Sequence, residues 1–459
     1  MEILTIETKS LGDRSYVIVD GTTAAVVDPQ RDIDRVLAEL DQRSLTLAVV
    51  LETHLHNDYV TGGLDLVERT GAAYVLPADD HVEFDHTGAR DGDEFPVGDT
   101  VVLRAVHTPG HTPHHLSYVV VDDGEQVAVF TGGSLLYGTV GRTDLIGDDA
   151  TEELTRAQYR SVRRLAGELP GAASVHPTHG FGSFCSSASS SGSDASTIAQ
   201  EKRTNIALTT TDEDRFVEEL LSGLTAYPRY YAHMAPRNRQ GPDPVNLTAP
   251  EPVDPVALRR RIHAGEWVVD LRDRKAFAQS HLAGTVNVEI GDSFVTYLGW
   301  TIRWGTPVTL VGDTADEVAE AQRQLVRIGI DRPAGAASGG LDTWAAGGDR
   351  RSYRSATFAE LADELPAGKL TVLDVRRTDE WEAGHIHGAI HIPLDQLEDR
   401  MHDVPADTPV WVHCASGFRA SIAASLVDRA GRDVVAIHDD WDQTSKHDNL
   451  AVTGGDSAT

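Results

Sequence analysis

The chain has 459 residues, 40% of them hydrophobic, and a formal net charge of −31; at about 100–200 residues per domain this length predicts three domains. The acidic balance argues against a nucleic-acid surface, which needs clustered Lys and Arg, and no run of about 18 apolar residues suggests a membrane span. Cys185 and Cys414 are the only cysteines, too few for a disulfide framework and in keeping with a reducing cytoplasm.

The start, MEILTIETKSLGDRSYVIVDG, is polar and alternating, without the plan of a secretory signal. Short strands follow in order at SYVIVDG, AAVVDP, LAVVLETH, AYVLPA, VVLRAVHTPG, LSYVVVDDG and QVAVFTGG. Helical patterns interrupt them at DIDRVLAELDQR and TEELTRAQYRSVRRLAGEL. Several histidine-bearing stretches come directly after apolar strands, where loops on a rigid sheet carry chemistry. Residues 186–196, SSASSSGSDAS, read as a low-complexity loop inside this first domain. Residues 241–255, GPDPVNLTAPEPVDP, read as a proline-rich linker.

Beyond the linker the chain repeats itself at an offset of about 104 residues, too long for a solenoid unit. Asp270 answers Asp374, Arg272 answers Arg376, Phe277 answers Trp381, His281 answers His385 and Gly284 answers Gly388. The expected layout is a large domain over residues 1–248 and two α/β domains over 249–352 and 353–459.

In ETHLHNDYVTGG, His54, His56 and Asp58 stand at H-x-H-x-D spacing, HTPGHTPHH sets His111 after a tight turn, and HPTHG does the same for His179. Neutral imidazole and carboxylate are suitable ligands for Zn and Fe(II), and ligands gathered from separate strand ends make a pocket. This ordered set resembles the metallo-β-lactamase fold, an αββα sandwich. With GRTDL (141–145) and THGFGSFC (178–185), residues 1 to about 246 are most similar to the persulfide dioxygenases of its glyoxalase II-like branch. The resemblance implies one non-haem Fe(II) per chain oxidising a glutathione-type persulfide with O₂ to sulfite; Zn is the other metal the site would take. It also implies ligands at the first signature histidine, the TPGH histidine and an FTGD aspartate. Those positions are His54, His111 and, in place of the aspartate, Gly133. Tyr59 stands where a second metal would need histidine, so the pair argues against a two-metal hydrolase. The third ligand is then expected from His56 or Asp58, from His114 or His115, or from water. Arg142 and Cys185 are candidate substrate contacts, with a structural Arg142–Asp144 pair and an apolar niche for Cys185 as the plainer readings.

VWVHCASGFRA ends an apolar strand at Cys414, and ASIAASLVDRAG reads as the next helix. Loop N–H groups and a helix N-terminus favour a thiolate and an anion beside it. This stretch, with LDVRRTDEWEAGHIHGAIHIPL, resembles the rhodanese family over about residues 357–437. That implies Cys414 as a sulfur-accepting nucleophile, a persulfide loop of Ala415, Ser416, Gly417 and Phe418, and Arg419 as its fixed charge. The C-x4-R spacing is one residue shorter than the loop of cysteine phosphatases. In the other copy Gly312 and Glu317 take the places of Cys414 and Arg419, so that copy is expected to be a structural spacer. The whole reads as a cytoplasmic sulfur-oxidising fusion acting on a small thiol or persulfide and O₂, without nucleic-acid or membrane partners, and self-assembling as such fusions commonly do. A thioester hydrolase of glyoxalase II type, or a metal-free scaffold or persulfide sensor with only Cys414 active, are the alternatives.

Overall fold

The computed structural model describes residues 1–187 and 194–454, so residues 188–193 of the low-complexity loop lie outside the described residues. The chain divides into two compact units, Met1–Val245 with Val326–Gly329, and Asn246–Leu325 with Ile330–Thr459.

The first unit is built on two six-stranded sheets. One runs in chain order through Glu2–Thr8, Asp13–Asp20, Thr23–Val27, Thr46–Leu51, Ala73–Pro77 and Thr87–Ala89; the other carries Glu94–Pro96, Val101–His107, Leu116–Asp122, Glu125–Gly132, Ser174–Pro177 and Ser196–Thr197. Strand alternation explains why both faces are apolar. In Asp13–Asp20, Tyr16 and Ile18 enter the core between the sheets, while Val17 and Val19 face the Asp34–Arg43 and Gly63–Thr70 helices. In Leu116–Asp122, Tyr118 and Val120 face that same inter-sheet core, and Val119 turns to the Asp148–Glu168 helix. Each large apolar side chain so buried contributes about 1.5–3 kcal/mol. The result is a four-layer αββα sandwich. Strands Thr46–Leu51, Val101–His107, Glu125–Gly132 and Ser174–Pro177 release their loops toward one edge, and the candidate histidines lie on those loops.

The second unit holds the two repeat copies, each around a parallel sheet. The order is Val286–Asn287, Trp267–Asp270, Val308–Val311, Gly335–Ala337 in one, and Ile390–His391, Thr371–Asp374, Val410–His413, Val434–Ile437, Arg354–Ala356 in the other. The matched residues of the repeat do matched work. Arg272 and Arg376 each clamp the aspartate two residues earlier at 2.7 Å. His281 stacks on Phe277 at 4.0 Å, as His385 does on Trp381 at 3.6 Å. The end of the proline-rich segment is ordered against this sheet, since Val253 donates to the Ala336 carbonyl and Ala336 to that of Glu251, both at 2.8 Å. No described helix is long and apolar enough to cross a membrane.

Candidate metal centre and sulfur-transfer loop

His54, His111 and His179 are buried, and one ring nitrogen of each lies within 4.8 Å of the others. Their tautomers are set from behind. Nδ1 of His111 donates to the Arg142 carbonyl at 2.7 Å. Nδ1 of His179 faces Asp13 at 2.9 Å and Asp58 at 3.1 Å. The Thr53 hydroxyl donates to Asp28 at 2.8 Å, so its oxygen is left to accept from Nδ1 of His54, also at 2.8 Å. Each ring therefore turns Nε2 inward. Nε2 of His54 and His179 are 3.4 Å apart, and Nε2 of His111 is buried with no partner.

Burial, with the neighbouring rings, holds His54 well below the usual histidine range and His111 down to about 3. For His179 burial acts in the same direction, but the Asp58 and Asp13 carboxylates overcome it and raise the pKa. A proton is thus favoured where three lone pairs meet, and a divalent cation meets the same demand while releasing that proton. Three inward imidazole nitrogens with carboxylate and carbonyl partners behind them fit a Zn- or Fe(II)-type ligand face. The cluster supports a divalent metal.

His56 and Asp58 form a second close ligand group with the shared His179 and also make contacts of their own. Nε2 of His56 lies 3.3 Å from Asp28, 3.4 Å from Glu52 and 3.0 Å from the Tyr59 hydroxyl, and Tyr59 stacks on its ring at 4.2 Å. Burial opposes charge there, yet the two carboxylates raise His56 to about 9. The imidazolium is thereby fixed in an acidic cage, and Tyr59 is part of that cage. Asp58 turns one oxygen to His179 and is held below the ordinary aspartate value, mainly by His179 against the effect of burial. Nε2 of His115 accepts from the Gly133 N–H at 3.0 Å, and half-buried His114 joins none of the close ligand groups among the described residues.

The missing aspartate has a steric counterpart. A β-carbon on Gly133 would lie 2.5 Å from Cγ and 2.7 Å from Nε2 of His111. Gln158 ties these loops together, accepting from the His111 N–H at 2.8 Å and donating to the Ser134 carbonyl. Arg142 is fully buried behind His111: its guanidinium holds Asp144 at 2.7 Å and donates to the Phe184 and Thr225 carbonyls at 3.0 and 2.8 Å. Cys185 is buried too; burial, then the Asp58 and Asp13 charges, push its thiol well up. Asp13, Thr53, Asp28, Glu52 and Gln158 are site residues for which the sequence carries no motif.

In the second unit, Cys414 Sγ faces the N–H groups of Gly417 at 3.1 Å and Ala420 at 3.4 Å. Gly417 has φ +92 and its β-carbon would meet His438, so the turn aiming these donors needs glycine. Arg419 grips Glu380 through both terminal nitrogens, at 2.6 and 2.7 Å. In the other copy the corresponding nest is filled from within: Glu317 accepts from the Asp313 and Thr314 N–H groups at 2.7 and 3.1 Å.

An αββα sandwich with a buried three-histidine cluster, joined in one chain to a paired parallel-sheet module, defines a metal-dependent hydrolase-type domain fused to sulfurtransferase-type domains. The metallo-beta-lactamase superfamily matches residues 13–179, and the rhodanese-like domain matches 254–347 and 357–447. A metallo-beta-lactamase structure from Staphylococcus aureus subsp. aureus COL aligns with TM-score 0.66 and 26% identity, covering 73% of this chain and 98% of that one. A probable metallo-hydrolase of Burkholderia pseudomallei (strain 1710b) is 30% identical over 214 residues, 40% of this chain and 68% of that protein. The cytoplasmic hydroxyacylglutathione hydrolase of Arabidopsis thaliana is 31% identical over 171 residues, 36% of this chain and 63% of that protein. The chain belongs to the metallo-beta-lactamase superfamily, with tandem rhodanese-like domains following in sequence.

Proposed function

We propose that this chain oxidises a low-molecular-weight persulfide with O₂ at a single metal held by His54, His111 and His179, and moves sulfane sulfur through Cys414. The observation that carries the reading is the three-histidine face with His111 lying over Gly133. A two-metal hydrolytic site needs a bridging carboxylate there, and the space is taken. Bound Fe(II) would supply O₂ activation and a coordination position for the persulfide sulfur. The chain's own groups do the rest. Asp13, Thr53 and the Arg142 carbonyl hold each ring in its ligating tautomer, and the water-poor burial of the three rings protects a reactive sulfur species.

At Cys414 the thiolate attacks the outer sulfur of the persulfide. A new S–S bond forms on Sγ, and the small thiol leaves with the electron pair of the broken bond. The Gly417 and Ala420 N–H groups carry the negative charge on sulfur, and Glu380 positions Arg419 beside the loop. The likeness to the hydroxyacylglutathione hydrolase supports a second reading, thioester hydrolysis, which needs no O₂.

The test is metal content of iron-grown protein together with O₂ uptake on addition of glutathione persulfide. One iron per chain and persulfide-dependent uptake are expected, abolished in His54→Ala and His111→Ala and retained in Cys414→Ser. Hydrolysis of a glutathione thioester without O₂ uptake would instead establish the hydrolase. Metal-free protein with sulfur transfer intact would leave Cys414 as the sole active centre.

A further inference from the structure

In the second unit, residues 247–255 of the proline-rich segment are strapped to the cysteine-free copy at two places. At one end the Gln322 carboxamide donates to the Asn246 and Thr248 carbonyls at 3.2 and 3.0 Å, and Arg332 donates to the Thr248 hydroxyl at 2.9 Å. At the other end lie the two backbone hydrogen bonds that tie Glu251 and Val253 to Ala336. Gly335 admits the segment there: a β-carbon on it would lie 2.3 Å from Cγ2 of Val253 and 3.1 Å from the Glu251 carbonyl oxygen. Between the straps the segment stands off the helix that begins at Ala315 and leaves a pocket of about 460 Å³, a volume within the range of small-molecule sites.

The lining is apolar and carries no charge. Leu247, Pro250 and Val253 come from the segment, Val318 and Ala319 from the helix, and the buried Trp344 lies beneath them. No lining residue is ionisable, although 24% of the chain is charged. The neighbouring loop offers an anion no seat either, because Glu317 already takes the Asp313 and Thr314 N–H groups. An ion entering here would give up its hydration without gaining a partner. The Trp344 indole N–H is spent on the Gly312 carbonyl at 3.2 Å, and the Thr343 hydroxyl donates to the Gly339 carbonyl at 2.8 Å. The Thr343 oxygen therefore keeps lone pairs for an O–H or N–H of a ligand. Pro250, Pro252 and Pro255 fix the backbone of their wall, so the pocket needs little ordering on binding. A rigid, flat molecule suits such a slot, whereas a flexible chain would have to freeze its rotors.

We propose that the cysteine-free copy is a binding module for a small neutral aromatic molecule, held between the proline-rich segment and the helix that begins at Ala315, with one O–H or N–H of the ligand on Thr343. The inference stands apart from the chemistry at the histidine cluster and at Cys414. Binding closes the segment onto the helix and adds apolar contact on both sides of the existing straps. The Val253 and Ala336 amides, which make the backbone strap, should then open less often.

The experiment titrates the full chain with N-phenyl-1-naphthylamine, a neutral aromatic probe with one N–H whose fluorescence rises in apolar surroundings. High salt screens the chain's net charge. Saturable binding of one probe per chain is expected, and 8-anilinonaphthalene-1-sulfonate, the same rings with an added charge, should bind roughly tenfold more weakly or worse. Ala319→Trp and Ala249→Trp place bulk in the pocket from opposite walls, and each should abolish binding while the melting temperature stays near that of the unmutated chain. Hydrogen exchange should show the probe slowing the Val253 and Ala336 amides in the unmutated chain and in neither variant. Absence of saturable binding, equal affinity for the sulfonate, or binding that survives in both variants would overturn the proposal. Protection confined to other parts of the chain would do the same, by placing the probe elsewhere.

Discussion

A side chain at position 133 would need space already filled by the His111 ring, whose Cγ would lie 2.5 Å from the new β-carbon. The ring cannot retreat cheaply, because its Nδ1 is tied to the Arg142 carbonyl at 2.7 Å and the His111 backbone N–H to Gln158 at 2.8 Å. Gly133→Asp restores a family motif on paper, yet overpacking of this kind costs about 1–3 kcal/mol and turns His111 away from the cluster. Metal stoichiometry by elemental analysis is therefore expected to fall in Gly133→Asp, with a lowered melting temperature. A second metal per chain would sink this account. Asp13→Asn makes a separate test of the carboxylate behind His179. Removing such an outer partner weakens metal binding roughly 10–100-fold, and competition with a chelator would read it, with unchanged affinity counting against the three-histidine set.

At the scale of elements, the Thr378–Ala383 and Phe418–Arg429 helices are joined by Glu380 and Arg419, whose side chains are 20% and 10% exposed. Burial alone would raise the Glu380 pKa, but Arg419 more than offsets it and holds the carboxyl below its ordinary value of 4.5. A depressed folded-state pKa gives stability that is complete above the unfolded value and is lost as pH falls through the folded one. Glu380→Gln should thus destabilise the second unit by roughly 3 kcal/mol near neutrality, as breaking a largely buried pair does. The gap from wild type should close as pH falls below about 4, where protonation does to the wild type what the mutation does. Hydrogen exchange of the Phe418–Arg429 helix across this range checks it, and a gap independent of pH would show that the pair's charge is not what matters. His54, His111, His179 and Cys414 are legible in the sequence because each follows an apolar strand within a short, residue-specific turn. Asp13 is not, since it meets His179 from 166 residues away and a lone aspartate opening a strand carries no pattern.

Over the whole molecule, the proposed reading has one unit release an intermediate that the other captures, and a flexible tether between two modules sets an effective concentration of about the millimolar range. On that reading, oxidation of one persulfide would supply sulfite, a second persulfide would load Cys414, and reaction of the two would give thiosulfate. With micromolar protein, glutathione persulfide and O₂, the unmutated chain is therefore expected to yield mainly thiosulfate, and Cys414→Ser mainly sulfite, at similar O₂ uptake. Mixing Cys414→Ser with His54→Ala supplies each centre on a separate chain. That mixture should recover only part of the thiosulfate, and less as it is diluted, because capture must then compete with escape into bulk solvent. Ion chromatography of the two anions over a dilution series decides it. Equal yields from mixture and unmutated chain at every dilution would show that joining the domains does not channel sulfite, while thiosulfate persisting in Cys414→Ser would remove the second domain from the reaction.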